Sequence, residues 1–367
     1  MSIRQEDLNQ HLENWGLSGN SRTPFAPHPA IDAACKRIGM MDSFLLRLNL
    51  ALRRALLAAL ATACLATGAF AADTPASLPF TLKQVGPGVY AAIDGPKGTS
   101  GANAGFVIGD DGVLVIDSFF NPDATKALVG EIRKLTDKPI RYVVNTHYHI
   151  DHVAGDAVLK DAGAIIVAHR NVRAWVHSEN LHLLGAHLTP GYRALIAAVP
   201  LPDVTTRTGM TIWLGTRKVI VEPALGHTGG DLMVAVPDAK VLFCGDILWN
   251  HVSPNIIDGN VAKWIAEAHA LRTDPGAAQT TFVPGHGDVA TARDVAHFET
   301  YLSDLRTLVR RERAAGLSGE ALVTAALPEF AKAHGDWKAF KHFAPLQLRF
   351  MDEELAGTKR TPKPAKD

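Results

Sequence analysis

Six consecutive residues, His147-Tyr148-His149-Ile150-Asp151-His152, constrain this chain more than any other stretch of it. Three imidazoles and a carboxylate this close together cannot share an apolar core. An unpaired buried polar group costs roughly 2–7 kcal/mol, and a charge costs more. The cluster follows an apolar run, Tyr142-Val143-Val144, which reads as a buried strand ending at Asn145. A loop at a strand end can aim several side chains into one cleft. Neutral imidazole and carboxylate are also the donors that zinc takes at about 2.0–2.2 Å. A solvated histidine-rich loop would explain the cluster alone, but not the segments that echo it later in the chain.

Three of these segments share one pattern. Gly226-His227-Thr228-Gly229-Gly230-Asp231 comes after a strand expected to end at Val221. Cys244-Gly245-Asp246 is expected to end the strand begun at Val241, and Pro284-Gly285-His286-Gly287 follows the strand Thr281-Phe282-Val283. Each sets one metal-ligand residue beside glycine, where the backbone can turn sharply and approach closely. A lone histidine in a turn is ordinarily solvated. Together with the first cluster, these turns describe a site assembled from strand ends.

Composition narrows the possibilities. The chain has sixteen histidines against five tyrosines, and 37 basic residues balance 37 acidic ones. That balance gives no reason to expect a nucleic-acid or anionic-membrane partner. Cys35, Cys64 and Cys244 are the only cysteines, too few for a disulfide framework or a paired-cysteine zinc ribbon. Arg53 and Arg54 precede an apolar, small-residue run over 55–70 that closes in Ala69-Phe70-Ala71. This is the anatomy of a secretory signal peptide, and the run is shorter than the about 20 residues of a membrane span. Residues 40–71 are therefore expected to be a signal peptide cleaved near Ala71, which would make the protein periplasmic or secreted. Residues 1–39 are polar and aperiodic. They are expected to be a disordered extension, or a mis-assigned start with translation beginning at Met40 or Met41.

Residues 72–367 are expected to form one domain. Strands are predicted over 89–93, 105–108 and 113–117, with an Asp110-Asp111-Gly112 hairpin turn between the last two. A helix over 123–135 follows, then the strand before the histidine cluster and another over 164–168. Further strands are predicted over 211–213, 218–221, 232–236 and 241–244, then helices over 261–271 and 294–314, with C-terminal helices from about 293. Strands then helix, twice over, suits two sheets packed face to face with helices outside. The stretch 171–208 is expected to place a helix and loop over the site.

At these residues the chain resembles the metallo-β-lactamase superfamily, over nearly all of residues 80–310. The resemblance implies an α/β fold, a four-layer αββα sandwich, with two adjacent metal sites. Carried over position by position, His147, His149 and His227 would hold one zinc ion, Asp151, His152 and His286 a second, and Asp246 would bridge them. It implies two Zn2+ per chain and a small-molecule substrate with an amide, ester, lactone or thioester bond. A hydroxide bridging the ions would attack the carbonyl, with Asp151 as the catalytic residue that orients it and carries its proton to the leaving group. Iron is the alternative metal, since ligand type alone does not choose; the export signal and the lack of a flavin-binding segment favour zinc.

The branches of the family pull apart at Asp246. Its β-lactamases generally have cysteine or serine there, whereas aspartate is similar to the glyoxalase II thioesterases, which work mainly inside the cell. Export points the other way, because β-lactams act outside the inner membrane. The expected function is thus a broad exported hydrolase, with β-lactamase the leading specific alternative and a glyoxalase II-like thioesterase the other. An exported metal-binding protein with a vestigial site is the non-enzymatic one. Trp175, Tyr192, Trp249, Asn250 and His251 flank ligand-bearing segments and are candidates for lining the cleft. Asp117 is equally a candidate hydrogen-bond partner of a ligand histidine or a turn cap. Trp264 and Cys244 read as core. His169, His177, His182, His187, His269, His297, His334 and His342 read as surface or core histidines.

Overall fold

A computed structural model describes residues 78–366 of the chain. The expected extension and signal peptide, 1–71, lie outside the described residues.

One sheet has seven strands in chain order: β1 (Phe80–Gly86), β2 (Val89–Asp94), β3 (Ala104–Ile108), β4 (Val113–Ile116), β5 (Ile140–Val144), β6 (Ile165–His169) and β7 (Val204–Thr206). It is antiparallel from β1 to β4 and parallel from β4 to β7. The second sheet has five strands in the order β12-β11-β10-β9-β8. These are β8 (Met210–Leu214), β9 (Arg217–Ala224), β10 (Asp231–Val236), β11 (Val241–Asn250) and β12 (Thr281–Gly287). The first four pair antiparallel, and β11 pairs parallel with β12.

Three apolar clusters set the layers. Val89, Val107, Leu114, Ile116, Val144 and Val167 of the first sheet meet Val219, Val221, Leu232, Val234, Phe243 and Val283 of the second. Because strand side chains alternate between faces, the opposite faces need cover. On the first sheet, Phe106, Val115, Val143 and Ile166 pack against Leu128 and Ile132 of α1 (Pro122–Leu135). That helix begins with Asn121, whose side chain accepts from the Asp123 amide, and Pro122 occupies its first turn, a strong start signal. On the second sheet, the third cluster joins Cys244, Leu248 and Phe282 to helices of the C-terminal half. These are α7 (Val261–Thr273), α8 (Ala292–Ala314), α9 (Gly319–His334) and α10 (Phe340–Ala356). Phe298, Leu302, Leu305 and Val309 of α8 are buried in it, each contributing about 1.5–3 kcal/mol of apolar burial. Helices, sheet, sheet, helices is the expected αββα sandwich.

The structure departs from the sequence expectations in several places. Strand β11 does not end at Asp246 but runs to Asn250, and its register against β12 shifts on both sides of Gly245. Gly245 has a left-handed φ of 51°, and a Cβ there would meet Thr146 at 2.5 Å. That kink turns Asp246 toward the site from the middle of a strand. His286 likewise lies within β12, and β9 continues past Val221 to Ala224. The stretch 171–208 holds more than a helix and loop. Beyond β7 it carries α4 (Arg170–Trp175), α5 (Ser178–Leu184) and α6 (Pro190–Ala198). Between β5 and β6 lie α2 (Ile150–Val153) and α3 (Asp156–Asp161). Among the described residues no helix is long and apolar enough to cross a membrane.

Candidate metal centre

The histidine cluster leaves the end of β5, and its second half, Ile150 onward, is the first turn of α2. His227 enters from the loop between β9 and β10, Asp246 from the kink in β11 and His286 from β12. Each of the seven residues expected to bind metal is no more than 3% exposed. They fall into two groups of mutually close donor atoms: His147, His149, His227 and Asp246, and Asp151, His152 and His286.

Asp246 joins the groups. Its Oδ2 stands 3.2 Å from His227 Nε2 and 3.7 Å from His147 Nε2, while its Oδ1 stands 3.1 Å from His152 Nε2 and 3.5 Å from His286 Nε2. One carboxylate oxygen faces each group. Within the first, His227 Nε2 and His149 Nδ1 are 2.9 Å apart. Within the second, Asp151 Oδ2 is 3.3 Å from His286 Nε2 and 3.7 Å from His152 Nε2. Gly285 makes room for this approach, since a Cβ there would lie 1.8 Å from Asp246 Oδ1.

These residues fit divalent metal on three counts. Two donors each about 2.1 Å from one tetrahedral ion stand roughly 3.4 Å apart, which matches the separations above. His147 Nε2, His152 Nε2, His286 Nε2 and Asp246 Oδ1 are buried without a hydrogen-bond partner. At about 1–3 kcal/mol each, those orphans together rival the 5–15 kcal/mol that holds a whole domain folded. Charge also balances: Asp117, Asp151, Asp246 and Asp258 are buried in or against the cluster, and four carboxylates offset two divalent cations.

Supporting hydrogen bonds select the ring nitrogens. Asp117 accepts from the Thr146 amide and hydroxyl, both at 2.7 Å, and its Oδ2 lies 2.9 Å from His152 Nδ1. Since the Thr146 hydroxyl donates to Asp117, it accepts from His147 Nδ1 at 3.1 Å. Asp117 therefore fixes both rings with Nε2 toward the site, the first of the two roles open to it in the sequence. Asp258 stands on the other side. Its Oδ2 accepts from the Tyr148 hydroxyl and lies 3.3 Å from His149 Nε2. Sequence reasoning passed over Asp258. Its setting, between Asn255 and the helix-capping Asn260, carries the composition of an ordinary turn.

The titration of the cluster follows its crowding. Burial would raise Asp246, yet His152, His286, His227 and His147 hold it well below the usual carboxylate range. Burial pushes His147 well below the usual imidazole range and His227 down to about 3. Those rings are held neutral, the form that binds metal. His152 is also penalised by burial, but Asp246, Asp151 and Asp117 raise it well above the ordinary value.

The other candidates divide. Trp249 is buried and stacks on His286 with ring centroids 3.9 Å apart. Trp175 is buried and donates to the Lys363 carbonyl, and Tyr192 is buried against Phe120. Neither of these two lines an open cleft. Asn250 donates to the Asp288 carbonyl. His251 is exposed and stands near Asp294 and His297, but Asp294 already caps α8 through Thr291. Trp264 is core, packed edge-on against His227, and Cys244 is buried.

Fold and site together define a two-sheet sandwich holding paired groups of imidazole and carboxylate donors fit for divalent metal. Residues 98–307 match the family model of the metallo-beta-lactamase superfamily, and the chain belongs to that superfamily. Hydroxyacylglutathione hydrolases of Brucella ovis and Brucella abortus are each 28% identical to it over 145 residues, covering 40% of this chain and 47% of theirs. The chain thus spans about half the length of these curated relatives. A metallo-beta-lactamase from Pontibacter korlensis is 21% identical, covers 61% of this chain and 99% of its own, and superposes with a TM-score of 0.48.

Proposed function

We propose that this protein is an exported dinuclear zinc hydrolase that cleaves a carbonyl-type bond in a small molecule. The observation that carries the dinuclear reading is Asp246, with one carboxylate oxygen toward each donor group. Zinc in these pockets would polarise the scissile carbonyl and bring the pKa of water from 15.7 to about 7. Apart from the shared Asp246, the first group is all imidazole, so a cation held there would be more electrophilic than one held beside Asp151. Asp151 and His152 present the opposite face. Asp151 would orient the attacking water and carry its proton to the leaving group. Trp249 backs His286 and keeps water from its far side.

A thioester is the favoured substrate class. Asp246 occupies the position where the family's β-lactamases generally carry cysteine or serine, and the matched Brucella relatives are named for an acylated glutathione. Export rests on the apolar run after Arg53 and Arg54 and is tested by N-terminal sequencing of the secreted or periplasmic fraction. Side-by-side turnover of an acyl-glutathione thioester and a chromogenic cephalosporin decides the substrate. Thioester cleavage alone supports the reading, cephalosporin cleavage alone replaces it with a lactamase, and neither, after zinc is restored, contradicts hydrolysis of these bonds.

A further inference from the structure

Neutral histidine carries its proton on one ring nitrogen and offers a lone pair on the other, so whatever the first nitrogen bonds decides which can bind metal. A carboxylate can only accept. With Asp258 Oδ2 beside His149 Nε2, the proton sits on Nε2 and the lone pair on Nδ1, which points at His227 within the first pocket. His147 and His152 are fixed the opposite way, through Asp117.

Asp258 is itself held from outside the span that matches the family, residues 98–307. The adjacent Gly259 carbonyl accepts from Lys359, which follows α10 and also pairs with Glu354 at 3.2 Å. Glu354 accepts from the Val261 amide at the start of α7. Asn260 donates from its backbone to the Gly226 carbonyl at 2.8 Å, which ties the same loop to the one carrying His227. The Lys359 side chain is buried, and its contacts hold this loop to the C-terminal segment.

We propose that Asp258 is a positioning residue for the first pocket, fixing His149 with Nδ1 toward the metal, and that the C-terminal segment through Lys359 holds it there. The inference rests on the reading that this pocket takes metal. Removing an outer-shell partner of a ligand histidine ordinarily costs 10–100-fold in metal affinity.

The test is zinc titration of the full chain, paired with nitrogen-15 NMR of its histidines in both metal-free and zinc-loaded protein. D258A is expected to weaken one of the two ions by roughly 10–100-fold, leave the other, and move His149 to mixed tautomers. D258N keeps an acceptor oxygen and falls between. K359M shifts the same ion in the same direction by a smaller factor, and it decides the matter should D258A fail to fold. Y148F removes the carboxylate's other donor and is expected to keep both ions and the His149 tautomer. Unchanged zinc affinity and an unchanged tautomer in D258A or K359M would overturn the proposal. Wild-type protein that takes up no metal would count against the hydrolase reading instead. The His149 tautomer in the metal-free protein would still settle the role of Asp258.

Discussion

The two pockets share Asp246 and little else. Apart from Asp246 the first is all imidazole, gathered from the β5 loop and the β9–β10 loop, and is backed by Asp258 from a segment braced by the C-terminal residues. The second mixes Asp151 with two imidazoles, sits where β12 meets the first turn of α2, and is backed by Asp117 at the end of β4. Neutral ligands leave a cation more electrophilic than ligands that include a carboxylate. Under the proposed function, the difference would give carbonyl polarisation to the first pocket and proton handling to the second. It also separates their supports. Asp117 reaches both pockets, since it orients His152 directly and His147 through Thr146, whereas Asp258 reaches only the first.

Asp246→Ala should break the comparison outright, because it removes the one group common to both sides. Both ions are expected to be lost, and kcat/KM to fall by at least about 10³-fold; metal content by mass spectrometry and steady-state kinetics check this. His227→Ala and His286→Ala should sharpen it, with each variant keeping one ion of the two. If the pockets differ in this way, His227→Ala loses more in kcat than His286→Ala. Equal losses of both ions in both variants would show that the pockets fill only together. Asp117→Asn is expected to weaken both ions, by roughly 10–100-fold, and a one-pocket effect would contradict the path through Thr146.

The smallest effect concerns Asp156, which lies just past α2. It accepts from Ser118 and Asn145, and burial pushes it up to about 7 from an ordinary 3.8. A raised carboxyl binds its proton more tightly folded than unfolded, so stability is fullest below about pH 4 and falls as pH rises from about 4 through about 7. Asp156→Asn removes that loss. Melting temperatures across about pH 5–8 should show the variant gaining on the parent as pH rises, by an amount on the order of 2–4 kcal/mol at most. A constant gap between the two would show that Asp156 does not titrate in this window.

Much of the site was legible because its residue types are costly anywhere else. His147, His149, Asp151 and His152 announce themselves by proximity, and His227, Asp246 and His286 by the glycines beside them. The two-sheet arrangement was legible from strand and helix order. What local pattern does not carry is tertiary geometry. The kink at Gly245 that brings Asp246 out of mid-strand depends on Thr146 packing against it, far away along the chain. Asp258 reads as a turn residue until Tyr148 and His149 are placed beside it. Similarly, the three helices and short strand of 171–208 have too little apolar periodicity of their own. Their order comes from packing, as where Asn180 caps the cluster by accepting from the Ile150 amide and donating to the Tyr148 carbonyl.

The most direct test of the two-pocket centre is the metal content of the purified protein after zinc is restored and excess removed. Two zinc ions per chain, falling to one in His227→Ala and to one in His286→Ala, is the predicted result. Fewer than one ion per chain in the unmodified protein would contradict the central claim that the two donor groups are metal pockets.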